Sequence, residues 1–196
     1  EDKDSRILIV DDGQSIRLTF EMFLAREGYG PITTASTFDE ALVAIKKQEF
    51  DLIISDIVLE EKKGTDLLYA IRESGIKCPV VMITGFPNLD TAADAVRYGA
   101  FDYISKPVNK ETLLKFVRQA LKHWELENEK NTLQQENEKY KRYLETIFSS
   151  VRDSIITIDN KLQIVQLNET AKRWLDYAAN AQKPDLASYQ SPMGRA

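Results

Sequence analysis

Five short apolar runs punctuate the first hundred or so residues: Arg6–Val10, Pro31–Thr34, Asp51–Ser55, Val80–Ile83 and Phe101–Ile104. Between them lie Gln14–Glu27, Thr37–Gln48, Thr65–Ser74 and Asn88–Tyr98, whose apolar residues recur at three and four. Ile16, Phe20, Phe23 and Leu24 mark the first stretch; Ala41, Leu42 and Ile45 mark the second. Gly28, Gly75 and Gly99 stand at the predicted helix ends, where a left-handed residue commonly closes a helix. Short apolar strands alternating with amphipathic helices predict an α/β domain, a (βα)5 doubly wound parallel sheet over residues 4–122.

The pattern changes after Pro107. No Gly or Pro occurs between Pro107 and Pro184. A fifth helix starts near Asn109, with Leu113, Leu114, Phe116, Val117, Ala120 and Leu121 able to cover the sheet. It then turns strongly polar without stopping. Leu126, Leu133, Tyr140 and Ile147 recur every seven residues, and the matching a positions are His123, Lys130, Asn137 and Leu144. An apolar d stripe beside polar a positions predicts a weak coiled-coil seam in which Asn137 sets register. Unbroken from Asn109 to Ile147, this helix would be roughly 58 Å long at about 1.5 Å per residue. One globular domain cannot bury that length. Residues 123–147 are therefore expected to be a helical linker, dimerising through Leu126, Leu133, Tyr140, Leu144 and Ile147.

A third segment, residues 148–177, alternates again. Ser154–Ile158 is β-branched, Asp159-Asn160 is a turn signal, Leu162–Leu167 reads as a second strand and Asn168–Tyr177 as a short helix. Residues 178–196 have neither period and are expected to be irregular.

Charge and cysteine use narrow the functional classes. A net charge of −5 argues against a large nucleic-acid surface, which needs clustered Lys and Arg. The single cysteine, Cys78, excludes an intramolecular disulfide and reads as a small core residue. No apolar run approaches membrane-spanning length. A cytoplasmic setting is expected.

The chemistry gathers at the strand ends. Asp11 and Asp12 follow the first run, Asp56 the third, Thr84 the fourth and Lys106 the fifth. In an open parallel sheet, ligands bind outside the carboxyl ends of the strands, so all five should meet in one pocket. Two carboxylates about 4 Å apart repel by roughly 4 kcal/mol at an effective dielectric near 20. Three together imply a trapped proton or a cation. Hard oxygen donors with open positions suit Mg²⁺. An Asp beside such an ion can attack phosphorus and form an acyl phosphate. Lys106 and Thr84 could then hold phosphoryl oxygens. The plainer alternative is a buried ion pair between Lys106 and the acids.

These residues carry a resemblance. Ile7-Leu8-Ile9-Val10-Asp11-Asp12, Asp51 to Asp56, Gly64, Val81-Met82-Ile83-Thr84-Gly85 and Gly99 to Pro107 resemble the receiver domain of bacterial two-component response regulators. The resemblance implies a CheY-like, flavodoxin-like strand order 2-1-3-4-5 and Asp56 as phosphoacceptor. It implies Mg²⁺ held by Asp12, Asp56 and the Val58 carbonyl, with Asp11 acting largely through water. Thr84 and Tyr103 fall at the family's switch positions. The implied partner is a sensor histidine kinase or phosphotransfer protein. The chain departs from many receivers in carrying Glu60 four residues after Asp56, followed by Glu61, Lys62 and Lys63, and Gly13 after the Asp pair. None of these departures removes a chemical group from the pocket. Ile147 to Asp159, with Leu167-Asn168-Glu169, resembles the opening of a PAS domain, a small α+β sensory fold.

The expected function is thus a phosphoaccepting module that relays through a dimeric helix, rather than an enzyme turning over a separate substrate. Two other classes compete. A haloacid-dehalogenase-like phosphohydrolase also uses Asp, Mg²⁺, Thr and Lys. It usually needs Asp-x-Asp after the first strand, where this chain has Gly13 two residues after Asp11. A non-phosphorylated scaffold would make the long helix the point, but would have no use for Asp56, Thr84 and Lys106 together. His123 reads as a solvated helix position, since no kinase-type phosphoacceptor pattern follows it.

Overall fold

The computed structural model describes residues 3–59, 64–87 and 89–175. The Glu60–Lys63 loop, Asn88 as a helix start, and the expected tail lie outside the described residues. The elements run β1 (Ile7–Val10), α1 (Gln14–Arg26), β2 (Ile32–Ala35), α2 (Phe38–Lys47), β3 (Leu52–Asp56), α3 (Gly64–Glu73), β4 (Val80–Thr84), α4 (Leu89–Arg97), β5 (Asp102–Ser105) and α5 (Lys110–Ser150). The five strands form one parallel sheet ordered β2-β1-β3-β4-β5. That is the α/β architecture and strand order expected from the sequence.

The apolar runs are continuous because both sheet faces are covered. Successive side chains on a strand point to opposite faces. Leu8, Val10, Ile53, Val80 and Met82 therefore pack with Ala41 of α2, Leu67, Leu68 and Ile71 of α3, and Ala95 of α4. Ile7, Ile9, Leu52, Ile54, Val81 and Ile83 pack with Phe20 and Leu24 of α1 and with Leu113, Leu114, Val117 and Ala120 of α5. Cys78 is buried, in keeping with a core role.

The edges of several elements differ from expectation by one residue. Asp56 and Thr84 are the last residues of β3 and β4 rather than the first beyond them. The strand ladder carries them: Asp56 aligns with Ile83, and Thr84 with Ser105. Thr37 is the N-cap of α2 rather than its first residue, its hydroxyl accepting from the Glu40 amide at 3.2 Å.

Helix α5 is one element of 41 residues and runs three residues past Ile147. Its buried residues end at Ala120. From residue 128 to residue 147 every position is exposed. The chain divides into one unit up to Lys130 and another from Asn131.

In the second unit, β6 (Ile156–Ile158) and β7 (Ile164–Leu167) pair antiparallel and α6 (Glu169–Leu175) follows. The Asp159 carboxylate accepts from the amides of Lys161 and Gln163 at 2.8 and 2.9 Å, which makes the expected turn. The strands are shorter than Ser154–Ile158 and Leu162–Leu167. Residues 151–155 are held by Asn168 instead of by a neighbouring strand. The Asn168 Oδ1 accepts from Ile155 and Ala171, and its Nδ2 donates to the carbonyls of Val151 and Asp153.

Candidate functional site

The strands end together, so their last residues share one rim. Asp11 is 2% exposed, Asp56 6% and Thr84 1%, while Asp12 is open to solvent. Carboxylate oxygens of Asp11, Asp12 and Asp56 all lie within 4.8 Å of one another. Lys106 bridges two of them, its Nζ donating to Asp11 Oδ2 at 2.8 Å and to Asp56 Oδ2 at 2.6 Å. The remaining oxygens are also engaged. Asp56 Oδ1 accepts from the Val58 amide at 3.0 Å, and Asp11 Oδ1 from the Gly13 amide at 2.8 Å. Among the described residues, no buried side-chain polar atom lacks a partner.

Burial raises the pKa of Asp11 above the ordinary aspartate value, despite the opposing pull of Lys106 and the Gly13 amide. Burial also works against the charge on Lys106, but its hydrogen bonds to Asp11 and Asp56 outweigh it and its pKa rises. The ammonium is thereby fixed as a cation between two carboxylates. One positive charge against three acids leaves net negative charge in the cluster.

Thr84 faces the same rim, its hydroxyl accepting from the Phe86 amide at 3.1 Å. Tyr103 on β5 is half-buried, and its hydroxyl is 2.9 Å from Thr91 Oγ1 on α4. The five sequence-predicted groups therefore occupy the ends of β1, β3, β4 and β5 around one acidic cluster, with Tyr103 farther back on β5 itself. Val58 lies two residues past Asp56 and contributes the amide already described. The seam residues Leu126, Leu133, Tyr140, Leu144 and Ile147 are elsewhere, all exposed on α5.

Two supports were not read from the sequence as parts of the site. The Arg17 guanidinium donates through Nη1 to the backbone carbonyls of both Asp11 and Asp12. Its only sequence signal is its place in the first turn of α1, where its amide bonds to Gly13. Gly64 was legible as a motif residue but not for its reason. A Cβ there would fall 1.9 Å from the Asp56 carbonyl oxygen, so α3 can start against β3 only at glycine. Its amide donates to Ile57 at 2.7 Å.

A cavity of about 860 Å³ opens at the other ends of the strands, beside Asp51, Phe101 and Trp124. Asp51, Asp102 and Glu125 line it, but among the described residues only Asp11, Asp12 and Asp56 bring three carboxylate oxygens within 4.8 Å of one another. A small cation is held by gathered charge rather than by volume, and that charge is gathered at the acidic rim.

The family profile described as the response regulator receiver domain matches residues 7–118. The alginate biosynthesis transcriptional regulatory protein AlgB of Pseudomonas aeruginosa is 39% identical over 112 residues, which cover 57% of this chain and 25% of that protein. A putative NtrX-like response regulator of Rickettsia bellii is 30% identical over 169 residues, 85% of this chain and 34% of that one. The crystal structure of NtrX from Brucella abortus has a TM-score of 0.62 at 36% identity, covering 66% of this chain and 29% of that chain. The chain spans between 25% and 34% of the length of these relatives. Residues 7–118 are more than half of the chain and build both the sheet and its acidic rim, and through them the chain belongs to the response regulator receiver domain family.

Proposed function

We propose that this chain is a phosphoaccepting signalling module in which Asp56 receives a phosphoryl group from a phosphohistidine donor. The observation that carries the reading is the Lys106 ammonium held between Asp56 and Asp11 at the carboxyl ends of the strands. In the transfer, an Asp56 carboxylate oxygen forms a bond to phosphorus as the phosphorus–nitrogen bond of the donor breaks. The product is an acyl phosphate and a neutral histidine on the partner. The partner is thus a sensor histidine kinase or a phosphotransfer protein. No other substrate is turned over.

Lys106 is placed to move from pairing a carboxylate to pairing a phosphoryl oxygen. Thr84 can exchange its Phe86 amide contact for another phosphoryl oxygen. That displacement would vacate space beside Tyr103, whose bond to Thr91 links β5 to α4. Thr84 and Tyr103 would in this way carry the state of the rim to the α4–β5 face.

The acid cluster fits Mg²⁺. Octahedral oxygens at about 2.1 Å stand roughly 3–4.2 Å apart, comparable with the 4.8 Å that encloses the three carboxylates. Asp12 and Asp56, with the Val58 carbonyl, would hold the ion, and Asp11 would act largely through water. When bound, the ion neutralises charge on the entering phosphoryl oxygens. Arg17 keeps the Asp11 and Asp12 backbone in place, and Lys106 supplies the second cation.

Beyond the receiver, the reading has α5 dimerising through its exposed stripe and relaying the switch to a PAS-like segment at residues 148–177 in a cytoplasmic regulator. The Ile156–Leu167 hairpin, followed by a helix capped by Asn168, supports the PAS-like part. Incubation with Mg²⁺ and acetyl phosphate should add one alkali-labile phosphate to wild type and none to Asp56→Ala. Equal labelling of both proteins would overturn the assignment.

A further inference from the structure

The long helix leaves an apolar stripe with nothing over it. Leu126, Leu133, Tyr140, Leu144 and Ile147 are between 42% and 61% exposed although they are large and apolar. They follow one seam of a helix that is continuous from Lys110 to Ser150. We propose that the occupant of this stripe is a second copy of the same helix, running parallel and in register over residues 123–148. The proposal rests on the dimeric reading above and adds orientation, register and the charges that select them.

The layers decide the orientation. In a parallel, in-register pair every seam residue meets its own copy, so a layers and d layers stay separate. Leu126, Leu133, Tyr140, Leu144 and Ile147 would each pack on themselves. His123, Lys130 and Asn137 would form polar layers between them, and Asn137 can bond its own copy only at this register. In the antiparallel pair of full overlap, a meets d. Leu133 would then face Asn137, Tyr140 would face Lys130, and Ile147 would face His123. Three apolar residues would be buried against polar ones, which is unfavourable without compensating hydrogen bonds.

The flanking charges point the same way. In the parallel pair each g residue meets the e residue five positions later on the other copy. That matches Lys122 with Glu127, Glu136 with Lys141, and Tyr143 with Phe148; Glu129 meets the neutral Gln134. Among the described residues, neither Glu136 nor Lys141 has an ion-pair partner in its own chain, whereas Lys122 pairs with Glu125, Lys130 with Glu127 and Arg142 with Glu138. The antiparallel pair would instead bring Glu136 onto Glu136 of the other copy, and Lys141 onto Glu127, which already pairs with Lys130 of its own chain. Glu136 and Lys141 are thus left for each other across the dimer.

Disulfide trapping of the whole chain tests orientation. Cys78 does not compete, because it is 1% exposed and burial pushes its thiol up to about 11. A disulfide needs Cα atoms within about 7 Å. Ile147→Cys should therefore cross-link to itself in the parallel dimer. In the antiparallel pair its copies lie roughly 36 Å apart, and Leu126→Cys would instead cross-link with Leu144→Cys in a mixture of the two variants. Glu136→Lys and Lys141→Glu should each weaken the dimer by about threefold to tenfold by sedimentation equilibrium, and the double exchange should restore it. A dimer in which Ile147→Cys stays uncross-linked, or Glu136→Lys is silent, overturns the orientation alone. Wild type sedimenting as a monomer up to high micromolar concentration overturns the dimeric reading itself. Phosphorylation at Asp56 is measured separately and is unaffected by either result.

Discussion

Replacing Gly64 by alanine should damage the proposed phosphorylation site without touching any group proposed to perform the chemistry. The added Cβ would lie 1.9 Å from the Asp56 carbonyl oxygen, 2.9 Å from its carbonyl carbon and 3.0 Å from the Ile57 Cα. These are backbone atoms, so no side chain can rotate away. The start of α3 must retreat from β3 by about 1 Å to bring the closest contact to a tolerable distance. The retreat breaks or stretches the 2.7 Å bond from the Gly64 amide to Ile57. It also disturbs the packing of Leu67, Leu68 and Ile71, all fully buried. Overpacking of this kind costs about 1–3 kcal/mol, and an error of about 1 Å at a reacting group costs on the order of 10² in rate. Urea denaturation and the initial rate of phosphorylation by acetyl phosphate at saturating Mg²⁺ read the two effects. Gly85→Ala is the control. It lies at the same end of the sheet, but a Cβ there has nothing within 4 Å. If Gly64→Ala matches Gly85→Ala in both stability and rate, the steric argument is wrong.

Three further outcomes are expected. Asp11→Asn, studied with chelator present, should be more stable than wild type at pH 7, because burial raises the Asp11 pKa and ionising it opposes folding. The advantage should fade as pH falls through the raised native pKa toward the ordinary value near 4 and be absent below it; a gain independent of pH in urea midpoints would contradict this. Arg17→Met should weaken Mg²⁺ binding, measured by calorimetry on the unphosphorylated protein, by about tenfold, the worth of a charge-assisted hydrogen bond. Unchanged affinity would mean the two carbonyls hold the acidic turn unaided. Asn168→Ala should cost about 1–3 kcal/mol locally by leaving the buried Ala171 amide and the half-buried Ile155 amide without their acceptor. Faster hydrogen exchange at Ile155 and Ala171 would show it, and unaltered exchange there would deny Asn168 its role.

The sheet was legible because its strands are buried on both faces and so appear as uninterrupted apolar runs. Helical spacing resolved α1 and α2 for the same physical reason: each has one face on the sheet. The acid cluster followed from topology, since parallel strands bring Asp11, Asp56, Thr84 and Lys106 to one rim whatever the details of packing. Contacts made by backbone atoms were not legible. Arg17 is an ordinary half-buried helix residue until its guanidinium is seen between two carbonyls. The need for glycine at position 64 comes from the approach of β3 and α3, which no local pattern encodes. The exact edges of β3 and β4 depended on ladder partners across the sheet, and the shortened β6 on the side chain of Asn168, thirteen residues after Ile155.

The most direct test of the central claim is to locate the phosphoryl group chemically. The protein is treated with acetyl phosphate and Mg²⁺, then reduced with borohydride, which converts an aspartyl phosphate to homoserine. Peptide mass mapping should find that conversion at position 56 alone, dependent on Mg²⁺ and lost in Lys106→Met. Conversion at Asp11 or Asp12, or none in a folded protein that binds Mg²⁺, would contradict the account.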